Sequence, residues 1–133
     1  MPTLIETKHR GVTVKAPVSF TVSTEKQRKA VCNGMGPSGK GWMVPDTMYG
    51  LDMGAAGDVH DWMYTYPDWL SRKSVDGVFL SNMYGIIEAH DGWWWVNALR
   101  RMRARKYYAA VRIGGSAHFK TMKVYLTRPV GED

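Results

Sequence analysis

The sequence predicts a single α+β domain that is predominantly helical. Apolar residues recur at helical spacing over 71–89 and again over 93–112, and strand-like alternation is confined to segments near the two ends. No internal repeat, linker or low-complexity segment divides the 133 residues, a length that suits one buried core.

Residues 11–22, GVTVKAPVSFTV, alternate β-branched or aromatic residues with polar ones. This reads as one or two strands, broken at Ala16-Pro17. Residues 32–50, rich in glycine and proline, read as a loop. A helix follows over 51–64 with Asp52 as candidate N-cap, although Gly54 and Gly57 weaken it by about 1 kcal/mol each. Tyr66-Pro67 ends that helix, because the residue before proline avoids the helical region.

The second helix starts at Ser71 or Ser74 and runs to Ala89, with Val75, Phe79, Leu80, Met83, Ile86 and Ile87 on one face. His90-Asp91-Gly92 breaks it. The third covers 93–112, carries Val96, Leu99, Met102, Tyr107 and Tyr108 among its basic residues, and ends at Gly114-Gly115. The tail segment AHFKTMKVYLTR alternates again and is a candidate partner for the N-terminal strands. The short connection over 65–70 makes the first two helices antiparallel neighbours.

Composition narrows the function. Cys32 is the only cysteine, so no internal disulfide forms and stability must come from packing, with help from a bound ion if there is one. No apolar run is long enough to span a bilayer, and MPTLIETKHRGVTVK lacks the apolar core of a signal peptide. A net charge of +6 favours anionic partners: a phospholipid surface, nucleic acid or an acidic protein.

The stretch GDVHDWMY, residues 57–64, sets His60 beside Asp61. Adjacent helical residues point about 100° apart, so the two serve different neighbours. The glycine-rich CNGMGPSGKG lacks the Lys-Ser/Thr close of a nucleotide-binding loop, but it can aim several backbone carbonyls at one point. Ca²⁺ accepts such a site given a carboxylate, and Asp61 would supply it if it faces the loop. His60 then faces the second helix. There Asp76, in SVDGVFL, can hydrogen-bond one imidazole nitrogen and leave the other as a base. Taken singly, each feature also has a plain reading: a surface loop, a structural histidine, a solvated aspartate.

In order, NGMGPSGKGWMVPDTMYGLD, HDWMY and VDGVFLSNM resemble the phospholipase A2 superfamily, and phage- and prophage-encoded members most closely. The likeness spans residues 32–84, with a looser one in the third helix. It implies a phospholipase A2-like core: two antiparallel helices, a glycine-rich loop, a third helix and short terminal strands. It further implies His60 as general base, Asp76 as its orienting carboxylate and Tyr64 as a support of that network. Asp61 and the carbonyls of Cys32, Gly34 and Gly36 would bind Ca²⁺, and the Gly34 N–H would help to hold the oxyanion. The implied reaction is hydrolysis of the sn-2 ester of a glycerophospholipid by activated water, at a phospholipid membrane surface.

Secreted members flank the His-Asp pair with cysteines; here Ala56, Gly57 and Met63 stand in that region, and Asn33 takes the place of the loop cysteine. A second reading keeps the fold without turnover, as a phage binding or structural protein that engages a host or virion protein. The localisation that fits is the host cytoplasm or the virion, peripheral to a membrane if the protein is active. A third reading, nucleic-acid binding through RRMRARKYY, has no base-reading motif behind it and is disfavoured. Trp93-Trp94-Trp95 points in three directions, which suits lipid anchoring, a core role or self-association alike. His90 and His118 lack the spacing of a zinc site.

Overall fold

The computed structural model describes residues 4–32, 47–67 and 70–114. In order these form β1 (Leu4–His9), β2 (Val12–Pro17), α1 (Val18–Thr21), α2 (Glu25–Val31), β3 (Thr47–Met48), β4 (Leu51–Asp52), α3 (Gly54–Thr65), α4 (Arg72–Ala89) and α5 (Trp94–Gly114). The class is α+β and mostly helical, with two separate antiparallel hairpins.

Both hairpins turn in the same way. Arg10 and Gly11 have φ of 54° and 81°, and Tyr49 and Gly50 have 48° and 82°. Two consecutive residues with positive φ make the tight turn whose twist matches paired strands, and glycine at the second place lowers its cost. β1 pairs with β2 from Leu4 opposite Pro17 to His9 opposite Val12.

The N-terminal expectation needs correcting. β1 lies upstream of the anticipated strand region, and the chain after Pro17 turns into the short helix α1 rather than a second strand. Packing explains this: Phe20 is buried in the core, edge-on to Trp62 at 5.8 Å, a contact that outweighs the strand preference of VSFT. α2 was also unanticipated, because EKQRKAV has no buried residue and hence no apolar stripe. Its start is fixed by a capping box, in which Thr24 accepts from the Gln27 N–H and Gln27 accepts from the Thr24 N–H. β3 and its turn occupy the end of the segment read as loop, and β4 takes Leu51 and Asp52 from the start of the expected helix. The alternating tail lies outside the described residues.

α3 is the hub. Ten of its twelve residues are buried, so it is covered on nearly every side. Asp52 does help to start it: its Oδ1 accepts from the Gly54 N–H at 2.7 Å, although the helix begins three residues later than expected. A side chain at Gly54 would meet the Arg10 guanidinium, the movable end of a long side chain, which would have to shift. α3 ends at Thr65, with Tyr66 as C-cap just before Pro67.

α4 starts where Ser71 Oγ accepts from the Ser74 N–H at 3.1 Å. It runs antiparallel to α3: Tyr64 meets Asp76, and one turn back His60 meets Phe79 at 4.5 Å between rings. Val75, Phe79, Met83, Ile86 and Ile87 point into the core as the spacing predicts, and Leu80 packs at its edge. α5 returns along α4 with Ala104, Tyr107 and Val111 inward; Met102, expected on the apolar face, is 59% exposed. Arg100 is buried and holds β3–β4 to α5, its Nε donating to the Met48 carbonyl at 3.2 Å and a terminal nitrogen to that of Tyr49 at 2.7 Å. One member of the basic run is therefore a structural clamp.

A side-chain amide joins the first hairpin to α4. Asn82, buried, accepts from the Lys15 N–H at 2.8 Å and donates to the Lys15 carbonyl at 2.9 Å, as a neighbouring strand would. Asn82→Ala is expected to cost about 2–3 kcal/mol, since two hydrogen bonds go and two backbone groups lose their partner. Urea denaturation checks this. A loss below about 0.5 kcal/mol would mean that the backbone finds other partners.

Candidate active site

Asp76 is the centre of the buried polar network, with no exposed surface. Four side chains from three helices converge on it. From α3, His60 Nε2 lies 2.8 Å from Oδ1 and the Tyr64 hydroxyl donates to the same oxygen at 2.7 Å. From α4, Arg72 reaches Oδ2 at 3.4 Å, and from α5, Arg112 donates to Oδ2 at 2.9 Å.

The local sequence accounts for much of this convergence. His60 and Tyr64 stand one turn apart on α3 and so share a face, with ring centroids 4.3 Å apart. Arg72 precedes Asp76 by one turn of α4. Arg112 arrives from the last turn of α5, a placement that only packing decides.

The protonation states follow from the geometry. Burial works against the charge on Asp76, but hydrogen bonds from His60 and Tyr64, the attraction of His60 and the Arg112 bond outweigh it and lower its pKa. An ionised carboxylate only accepts, so His60 must carry a proton on Nε2. Neutral His60 then has its basic lone pair on Nδ1. Tyr64 remains a donor, because burial and the bonded Asp76 raise its pKa.

Arg72 has a second task. One of its terminal nitrogens also donates to the carbonyls of Val111 at 3.1 Å and Arg112 at 3.0 Å. These belong to the last turn of α5, where carbonyls lack helical partners and the dipole favours a cation. The carboxylate that faces His60 is thus also the knot that ties α4 to the end of α5.

The other edge of α3 faces the N-terminal half. His9 Nε2 lies 2.7 Å from Asp58 Oδ2, and Arg10 lies 3.7 Å from the same oxygen. Cys32, the residue that opens the glycine-rich segment, donates its thiol to the Asp58 carbonyl at 3.1 Å. Burial first, then the charges of Asp58 and Asp61, push its pKa up to about 12, so the thiol stays protonated at neutral pH. His60 turns to α4, while Asp61, the next residue on α3, points about 100° away from it.

Of the candidate residues, His60, Tyr64 and Asp76 are in direct contact, and Cys32 is bonded to the α3 backbone at Asp58; Asp61 stands next to His60 on α3. Gly34 and Gly36 lie outside the described residues. Among the described residues no three His, Cys, Asp or Glu side chains gather to hold a metal. A calcium site built from one carboxylate and backbone carbonyls does not form such a group. Sequence reasoning missed Arg72, whose spacing of four before Asp76 was a readable signal, and Arg112, for which there was none. It also missed the pairing of His9 with Asp58.

Comparisons with protein-family models, with curated proteins and with solved structures give no match.

Proposed function

We propose that this protein is a calcium-dependent hydrolase of the phospholipase A2 type, which cleaves the sn-2 ester of glycerophospholipids with a water activated by His60. The finer fold assignment belongs to the same proposal: α3, α4 and the glycine-rich segment form a phospholipase A2-like core. The observation that carries it is the contact of His60 and Tyr64 with one oxygen of a buried Asp76, across two antiparallel helices.

His60 accepts a proton from water at Nδ1, while Asp76 and Tyr64 hold the ring and its tautomer. Asp76 also stabilises the imidazolium that forms, so the proton is held without the carboxylate becoming protonated. The ester carbon is attacked by water itself, with no covalent enzyme intermediate; the adduct then breaks its bond to the glycerol oxygen, which takes the proton back from His60 and leaves as the lysophospholipid. Asp61 and the carbonyls of Cys32, Gly34 and Gly36 would hold Ca²⁺, and the Gly34 N–H would donate to the oxyanion. Calcium, when bound, supplies positive charge for the oxyanion and the substrate phosphate.

A calcium titration of fatty-acid release from mixed anionic vesicles tests this reading. Release is expected to rise with calcium and vanish in EDTA. In Asp61→Asn the calcium requirement is expected to rise at least tenfold, which is about 1.4 kcal/mol of lost binding. Vesicles left intact by the wild type at saturating calcium would sink the proposal.

One observation favours a second reading. The two arginines on Asp76 give that residue a structural use whether or not turnover occurs. A non-catalytic phage protein that engages a host or virion partner would retain the network for packing. It would show no calcium-dependent release, and its complex would survive His60→Ala.

A further inference from the structure

The outer face of α5 is unlike the rest of the surface. Trp93, Trp94 and Trp95 are 73%, 79% and 51% exposed, so the triplet takes no part in the core. One helical face then runs on from Trp94 and Trp95 through Arg101, Met102 and Arg105 to Ile113. Met102 and Ile113 are both largely exposed. The strip is about 28 Å long at 1.5 Å per residue. Beside its far end, Leu80, Tyr108 and Ala109 line a shallow apolar groove between α4 and α5 that continues the strip.

The charge on this face has one sign. No acidic residue occurs between Asp91 and Glu132, while Arg101, Arg105 and Lys106 are all exposed. Three partners could meet such a strip, and chemistry separates them. A second copy of the chain would set these cations against each other. A single-stranded nucleic acid would use the cations and the rings, but it has no use for the aliphatic Met102 and Ile113. An anionic bilayer uses all three kinds of group: cations at the phosphates, tryptophans at the headgroup level, and aliphatic side chains in the outermost acyl region. No helix among the described residues is long and apolar enough to cross a membrane, so the contact is parallel to the surface.

We infer that the outer face of α5, from the Trp93–95 triplet to Ile113, docks the protein flat on an anionic lipid bilayer. This surface goes beyond the hydrolysis reading, and its docking requires neither calcium nor turnover.

Sedimentation with phosphatidylcholine vesicles, with and without phosphatidylglycerol, tests the inference on the full chain in EDTA. Under those conditions failure of the hydrolase proposal cannot affect the result. Wild type is expected to bind the anionic vesicles at least tenfold more tightly than the neutral ones, and brominated acyl chains should quench its tryptophan emission. Replacing all three of Trp93, Trp94 and Trp95 by alanine should weaken binding tenfold or more and remove most of the quenching. Arg101→Glu with Arg105→Glu should abolish the preference for anionic lipid. All five positions are exposed, and circular dichroism checks that the variants fold. Equal binding by wild type and both variants would overturn the inference. So would absence of vesicle binding, with either single-stranded DNA binding or dimerisation lost in the same variants.

Discussion

Asp76→Ala is expected to destabilise the protein by about 3 kcal/mol, the lower part of the range for breaking a buried ion pair. The substitution strips His60, Tyr64, Arg72 and Arg112 of a shared acceptor at once. The lower figure applies because both arginines retain some exposure and can regain water, whereas the Tyr64 hydroxyl cannot do so readily. Urea denaturation of the two proteins at neutral pH gives the difference directly. Less than about 1 kcal/mol would show that the three helices do not depend on this knot.

The same variant has a pH signature. In the fold Asp76 holds its pKa below the ordinary carboxylate value of about 4. A depressed pKa means that unfolding takes up a proton in acid, so the stabilisation is complete above about pH 4 and drains away as pH falls through the lower folded value. The stability gap between wild type and Asp76→Ala should therefore narrow as pH falls below about 4. A gap that did not narrow below about pH 4 would contradict an ionised Asp76.

The second large effect concerns chemistry. His60→Gln is expected to lower the turnover of calcium-dependent ester hydrolysis by about 10²–10⁴-fold, the usual contribution of a general base. Stability should fall by only about 1 kcal/mol, for the ring contacts with Tyr64 and Phe79. The two measurements together separate a chemical role from a packing one. Turnover within tenfold of wild type, with the fold intact, would remove His60 from the mechanism.

The three long helices were legible because local signals agreed. Ser71 caps α4, Pro67 ends the segment after α3, and the apolar positions of α4 recur at one spacing. The hairpin β1–β2 was harder to see, since LIETKH has only a weak alternation and its Arg10-Gly11 turn is an uncommon tight-turn pair. α2 has no apolar stripe to find, yet its Thr24–Gln27 capping box was present in the sequence. Within the candidate site, the spacing of His60 and Tyr64 already put them on one face. Nothing local reveals that Arg112, thirty-six residues beyond Asp76, closes on the same carboxylate.

By itself the sequence determined the three long helices, the absence of an internal disulfide, the positive charge and the divergence of His60 from Asp61, because each depends on residue type or on spacing within one element. Tertiary structure alone decided which carboxylate meets which base. It set Asp76 against His60 across sixteen residues and left Asp58, two residues from His60, to His9. It also buried Arg100 while leaving Arg101 in solvent, and it turned three tryptophans outward. These outcomes depend on how whole helices pack, and a side chain's partner there is set by the competition among all faces for one core.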